Sequence, residues 1–433
     1  MREPAHNTGG KRALRFALGL LALLYALAVL APLLANDRPL WIVARERTAS
    51  ADSASASFPA FADLSAQEQC ALAIVPLALA AFLVLRRRHS LRAEAVVAGA
   101  ILCGALLLAL QHGSAARAPK DWKQRIDTGE LLVEHALFAP IAFGADETNL
   151  SEAWRPPTWL AASAVDESGR RLRDRSASTQ PGELVAPPIV VLVKSSEPAR
   201  NSWRRHLLGT DGLGRDVCAR LLWGARASLS IGLVAALCAA VLGTLVGAWA
   251  GWRGGRTDLF LSRATEIVLC VPAILLVLLI SAVTDPGSVP PGIALGLAIG
   301  CVGWTGVARL VRAEFLRLRE LDYALAARVL GYSDARIVLR HLLPNAASPI
   351  LVATSFAVGS AILFEAAISF LGYGIQEPIP SWGGLVREAR SIEHWWIALF
   401  PGLCLALAGT LWNLFGERLR DVLDPRLRAE RDA

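Results

Sequence analysis

The stretch DYALAARVLGYSDARIVLRHLLPN, Asp322 to Asn345, is polar and arginine-rich, yet it lies between two apolar runs that are each long enough to cross a bilayer. Asp322 suits an N-cap for a short helix carrying Ala326, Ala327 and Arg328. Gly331 supplies the backbone freedom needed just past a helix end. Ser333 with Asp334 starts a second helix, through Arg340, which Pro344 stops ahead of Asn345. The pattern predicts a helix-turn-helix held at a membrane face. Its two small alanines would let another protein's groove approach closely. An ordinary basic loop shares the same pattern.

Outward from this stretch, the chain is that of a membrane protein. Of 433 residues, 54% are hydrophobic and 19% charged, too apolar for an ordinary soluble domain of that length. Runs of the length a spanning helix needs fall at about 227–250, 264–283, 292–308, 349–371 and 397–415. A further run, Leu14 to Leu34, exceeds the apolar stretch of a signal peptide and reads as an uncleaved anchor. Two shorter runs, 70–85 and 95–110, contain Pro76 and Gly99, and either lie at the interface or form a transmembrane hairpin. The cluster RRRHSLR between them, Arg86 to Arg92, favours the hairpin with that cluster in the cytoplasm.

Charge orients the chain. With the N-terminus inside, Lys11, Arg12 and Arg15, then Arg253, Arg256 and Arg263, then the arginines from Arg309 to Arg340, and finally Arg418 to Arg428 all fall on the cytoplasmic side. The short outer loop TDPGSVPP carries no basic residue. The net charge of +7 reflects this asymmetry and requires no nucleic acid partner.

The spacing Ala326-Ala327-x3-Gly331, followed by Leu343-Pro344-Asn345, resembles the EAA loop of the membrane subunits of ABC importers, with Leu325 in place of the family's Glu and His341 in place of an isoleucine. Three other stretches resemble the dipeptide and oligopeptide permeases: GTDGLGRDVCARLLWGARASLSIGL (209–233), FLGYGIQEPIPSWGGLVREA (370–389) and GERLRDVLDPRL (416–427). ANDRPLW (35–41) and the Ala139 to Trp159 segment resemble the microcin C and oligopeptide branch.

The resemblance implies an all-α polytopic membrane protein with the type I importer, MetI-like bundle: six core helices plus an N-terminal hairpin. The expected divisions are 1–35, N-terminus and first helix; 36–111, the extra segment; and 112–224, an extracytoplasmic loop in which 161–200 is a flexible insert. The permease core follows at 225–416, with coupling loop 322–345, and 417–433 is a cytoplasmic tail. The resemblance further implies a multi-pass protein of the bacterial inner membrane and a peptide delivered by an extracytoplasmic solute-binding protein. It also implies two ABC ATPases and a second permease forming a heterodimer. ATP and magnesium would be held by the ATPases. In the family that loop docks onto the ATPase, which carries Asp322, Ala326, Ala327, Arg328, Gly331, Ser333, Asp334, Arg340, Pro344 and Asn345 into the docking site.

Little in the chain points to catalysis. The seven cysteines are widely spaced, mostly within apolar runs, and read as small buried hydrophobes. No histidine spacing suits a metal, no cofactor motif is present, and no GxxxxGK[ST] loop exists to bind ATP. Glu365, inside the run 349–371, is the clearest intramembrane ionisable residue; it either lines the translocation path or gate, or bonds to a neighbouring helix. Gly243, Gly247, Gly292, Gly296 and Gly300, at four-residue spacing, mark close helix packing. Trp382, Trp395 and Trp396 are expected at the outer interface. Nickel or another small solute is an alternative substrate. An ion-coupled secondary transporter and a membrane-anchored sensor are alternative classes, the first disfavoured by the scarcity of intramembrane charges and the second by the docking loop.

Overall fold

The computed structural model describes residues 7–46, 55–62, 69, 72, 122–123, 131–157, 192–194, 206–283, 289–389 and 391–423. The expected hairpin at 70–110, apart from Leu72, and most of the insert at 161–200 lie outside the described residues. In chain order the helices are α1 (Asn7–Val29), α2 (Ala31–Leu34), α3 (Pro59–Ala62), α4 (Val217–Arg253), α5 (Gly255–Cys270), α6 (Ala273–Val283), α7 (Pro291–Leu318), α8 (Asp322–Val329), α9 (Asp334–Ile337), α10 (Leu343–Phe370), α11 (Trp382–Glu388) and α12 (Trp395–Leu423). Strands are β1 (Trp41–Glu46), β2 (Ser55–Ser57), β3 (Leu131–Leu137) and β4 (Leu192–Lys194).

Among the described residues five helical stretches are long and apolar enough to cross a membrane, and six if the bent pair α5–α6 counts as one span. The run expected at 264–283 falls across that pair. Val271 is extended, Pro272 follows, and the two helices meet at 90°. Pro272 has no N–H to donate and its ring would collide with the carbonyl four residues back, so the helix ends there. Cys270 beside the break and Cys301 on α7 are exposed, and Cys218, Cys238 and Cys404 are half-buried, where buried cysteines were expected.

The bundle is organised on α4, which packs along α7 at backbone distance. A methyl added to Gly243 would lie 2.6 Å from Val307 Cβ, one on Gly251 would lie 2.7 Å from Phe315 Cβ, and one on Gly296 would lie 3.0 Å from Val234. The glycine spacing therefore does mark a helix seam, built from both helices. On the other side, α1, α10, α11 and α12 close a core around Tyr25, Leu229, Ile362, Trp382 and Trp412. Tyr25 inserts edge-on to Trp412, with ring centroids 6.2 Å apart.

A four-stranded antiparallel sheet, order β2-β1-β3-β4, stands at one end of the bundle. No local sequence pattern marks it, and β4 lies within 161–200, expected as a flexible insert. The sheet is tied to the bundle where Ala35 bridges Ile141 and where the Trp223 indole N–H donates to the Ala35 carbonyl at 2.9 Å. The two ends of the bundle are thus distinct: a sheet end, and an arm end formed by 319–345.

Candidate functional site

At the arm end, α8 begins one residue earlier than expected. Leu321 holds the N-cap position, and Asp322 is the first helical residue, where its charge favours the positive end of the helix but its side chain makes no capping bond. The helix closes with the Gly331 N–H on the Arg328 carbonyl at 2.9 Å and the Tyr332 N–H on the Ala327 carbonyl at 3.1 Å. That closure places Gly331 at φ +78°, a conformation costly for any residue with a Cβ. Ser333 occupies the N-cap of α9, ahead of Asp334.

Pro344 does not stop the second helix. After α9 a π turn, Val338–Leu342, runs directly into α10, so Pro344 lies inside a continuous helical run, and the wide turn just before it accommodates a ring that has no N–H to donate. The arm and the spanning helix are therefore continuous. Asn345 seals the wide turn by donating to the His341 carbonyl at 2.7 Å.

The two alanines part company. Ala326 is exposed, whereas Ala327 is buried with Ala324, Ile337 and Leu342 in a cluster that includes Phe315 of α7 and Trp252 of α4. Arg328 lies over the Trp252 ring at 4.3 Å, which braces α8 against α4. Asp322, Arg328, Gly331, Ser333, Asp334, Arg340, Pro344 and Asn345 are all exposed. Among them stand large apolar side chains: Val329 is 88% exposed, Leu330 71% and Leu339 64%. Arg319 at the base of the arm donates to the Gly251 carbonyl of α4 at 3.0 Å, and nearby Arg312 of α7 pairs with Asp258 of α5 at 2.7 Å, which ties the helices together where the arm leaves the bundle.

Glu365 is 0% exposed within the chain. Its Oε1 accepts from the Ser369 hydroxyl at 2.7 Å. Close by, the Trp382 N–H donates to the Ser228 hydroxyl at 3.1 Å and the Trp382 indole donates to the Leu221 carbonyl at 3.0 Å. Trp382 is therefore buried, 2% exposed, and not an outer-interface ring as expected. Trp396 is buried too, its indole N–H on the Thr210 carbonyl at 3.1 Å; of the three, Trp395 is the one partly open. The indole donors of Trp382 and Trp396 are each satisfied by a backbone carbonyl, which removes the cost of burying them.

The sheet end holds a buried ionic network that sequence reading missed. Asp211 Oδ1 accepts the N–H groups of Leu213 (2.8 Å) and Arg215 (3.0 Å), while Oδ2 accepts Arg215 Nε at 2.7 Å and also Arg220. Arg215 continues to Glu377 at 3.0 Å and Glu388 at 3.3 Å, and Arg220 reaches Glu388 at 2.6 Å. Burial raises the Asp211 carboxyl, but the neighbouring Arg220 and Arg215 outweigh it and hold the group below the usual carboxylate range. Glu388 moves the other way, because its burial outweighs the same arginines. Asp216 caps α4 by accepting the Ala219 N–H at 2.7 Å and also meets His206 Nδ1 at 2.9 Å. The available signal was the Asp211, Arg215, Asp216, Arg220 spacing, a set of near-neighbour opposite charges at the head of an apolar helix.

Comparison with known proteins bears on the family. The family described as Binding-protein-dependent transport system inner membrane component matches residues 243–429. A Brucella suis protein provisionally named a peptide transport system permease is 47% identical over 227 residues, covering 52% of this chain and 75% of its own. The dipeptide transport system permease of Bacillus subtilis is 37% identical over 253 residues, 57% of this chain and 77% of the relative. The oligopeptide transport system permease of the same organism is 37% identical and covers 53% and 74%. With spanning helices joined by an exposed arm, and relatives matched over three quarters of their length, the chain belongs to the family of binding-protein-dependent transport inner membrane components, as a multi-pass permease subunit.

Proposed function

We propose that this chain forms half of the translocation path of an ATP-driven importer for di- or oligopeptides, with its arm docked on a partner ATPase. The observation that carries the reading is the arm: Val329, Leu330 and Leu339 stand exposed on a segment outside the spanning helices, fastened at its base and continuous with α10. Apolar side chains held out in this way call for a protein partner. The arginines crowding 309–340 support an arm in the cytoplasm and a sheet end outside, the side from which a solute-binding protein would deliver the peptide. The peptide class follows from the names of the relatives.

Asp322, Ala326, Arg328, Gly331, Ser333, Asp334, Arg340, Pro344 and Asn345 form the docking face, and Ala327 works from beneath, its small side chain letting α8 settle on the bundle. ATP and magnesium belong to the partner. When two ATPases close, the pull on the arm passes through the π turn into α10 and through the braced base into α7, tilting both. Glu365 serves the gate, since it lies where α10 meets Ser228 of α4 and Trp382 of α11. A second, different permease supplies the other half of the path.

The test is a pull-down of the solubilised chain from its own membranes, with mass identification of what accompanies it. Recovery of ATPase subunits and a second permease, lost on Gly331→Val, supports the reading. Recovery of the well-folded chain alone overturns it. Uptake of labelled di- and oligopeptides then tests the substrate class.

A further inference from the structure

His206 lies at the sheet end, 2% exposed, with a carboxylate on each ring nitrogen. Nδ1 is 2.9 Å from Asp216 Oδ2, at the head of α4, and Nε2 is 3.0 Å from Glu152 Oε2, in the turn Leu150–Glu152. A neutral imidazole has one N–H and one lone pair, so it can donate to one of these acids while its lone pair confronts the other. An imidazolium donates to both. The geometry is therefore that of a charged ring, and Phe143 stacks on it with centroids 4.3 Å apart, presenting a π face to the cation.

We propose that His206, as an imidazolium, is a positioning residue that clamps the loop 149–155 onto the N-terminus of α4 and makes the seating of that loop sensitive to the pH at the sheet end. This rests on the proposed orientation only in naming that pH as the external one. The loop is otherwise joined to 209–213 by neutral bonds: Asn149 N–H to Leu213 (3.0 Å), Trp154 N–H to Asp211 (3.0 Å), Thr210 N–H to Arg155 (2.9 Å), and the Thr210 hydroxyl, which accepts the Arg155 N–H at 2.8 Å and donates to the Glu152 carbonyl at 2.5 Å. The His206 ring thus adds a titratable tie to an interface that otherwise depends on neutral bonds.

The charged groups around the ring come from each element packed on it. Glu152 also meets Arg155 at 3.2 Å, and Asp216 belongs to the segment carrying Asp211, Arg215 and Arg220. Behind Phe143, Lys123 lies 4.4 Å from that ring and pairs with Glu147 at 2.7 Å. Burial opposes charge on His206, but the bonds from Asp216 and Glu152 outweigh it and raise the group to about 8. The sign follows: a histidine raised in the seated state stabilises that state fully below its ordinary value, and the contribution disappears as pH rises through about 8. Across the whole titration, from well below 6.5 to well above 8, the opening equilibrium of the loop should rise roughly 30-fold, about 8-fold of it between those two values.

Hydrogen exchange of residues 149–155 in the purified full chain, followed from pH 6 to 9 and corrected for the intrinsic pH dependence of exchange, tests this directly. The expected result is a wild-type opening equilibrium that climbs through that window. Glu152→Gln should climb at lower pH and by less, and His206→Gln should be open and flat throughout. A flat wild-type profile, or a Glu152→Gln profile superimposed on wild type, overturns the proposal. Should His206→Gln not accumulate, those two profiles decide alone. Because exchange requires neither ATPase nor peptide, failure here leaves the importer reading standing, and loss of ATPase capture leaves the clamp standing.

Discussion

Arg220, in the first turn of α4, donates to Glu388 at the end of α11 across 168 residues of sequence at 2.6 Å, and the same guanidinium nitrogen also serves Asp211. One side chain thus joins the head of a spanning helix, the loop before it and the short helix that folds back after α10. Removing it would leave Asp211 and Glu388 with Arg215 as their shared cation in a largely buried site. Arg220→Ala should cost about 1.5–3 kcal/mol, the range for losing hydrogen bonds to charged groups. Thermal unfolding of the purified chain checks this; a melting temperature equal to wild type would show that the network contributes nothing.

The same network predicts acid sensitivity. Asp211 is held below its ordinary range by Arg220 and Arg215 against the effect of burial, so its contribution is present above the ordinary carboxylate value and is lost as pH falls through the lowered one. Glu377 acts in the same direction through its bond to Arg215. Stability measured from pH 6 down to pH 3 should decline, and Asp211→Asn should flatten the decline.

Gly247 and Gly306 should respond in opposite ways to the same substitution. A methyl on Gly247 would meet the Ala308 carbonyl, Val311 Cβ at 2.9 Å and Arg312 N at 3.0 Å, two of them backbone atoms with no room to move. Gly247→Ala should cost about 1–3 kcal/mol through overpacking. Gly306, on α7, has nothing within 4 Å of the added carbon, and Gly306→Ala should gain up to about 1 kcal/mol from helix propensity. Paired melting curves decide, and equal shifts would contradict the α4–α7 seam.

Gly331→Val separates docking from folding. The position is at φ +78° with open space around it, so the penalty is backbone strain of about 1–2 kcal/mol confined to the turn. Melting of the spanning bundle should stay near wild type while ATPase capture and uptake fall. A variant that docks and transports normally would remove the arm from the mechanism.

The spanning runs and the arm were legible because a membrane demands uninterrupted apolar length, and a polar segment between two such runs is conspicuous. Gly331 was legible because a positive φ after a helix end selects glycine. Helix spacing alone also pointed to the seam of Gly243, Gly247, Gly296 and Gly300.

What stayed hidden was pairing at a distance. Whether a proline ends a helix, as Pro272 does, or is carried inside one behind a π turn, as Pro344 is, depends on which carbonyls surround the ring, so the stop expected at Pro344 was not found. The sheet joins 41–46 to 131–137 and 192–194, and short strands carry no local mark of a partner so far away. His206, Glu152 and Asp216 are unremarkable as letters, and become a clamp only where three segments converge and water is excluded. The sequence by itself determined the membrane class and the arm, since these follow from composition and local spacing, and it carried the family through the resemblance of its motifs. Tertiary structure decided which polar groups are buried together, because the cost of desolvating a charge is set by neighbours that the chain brings from far along its length.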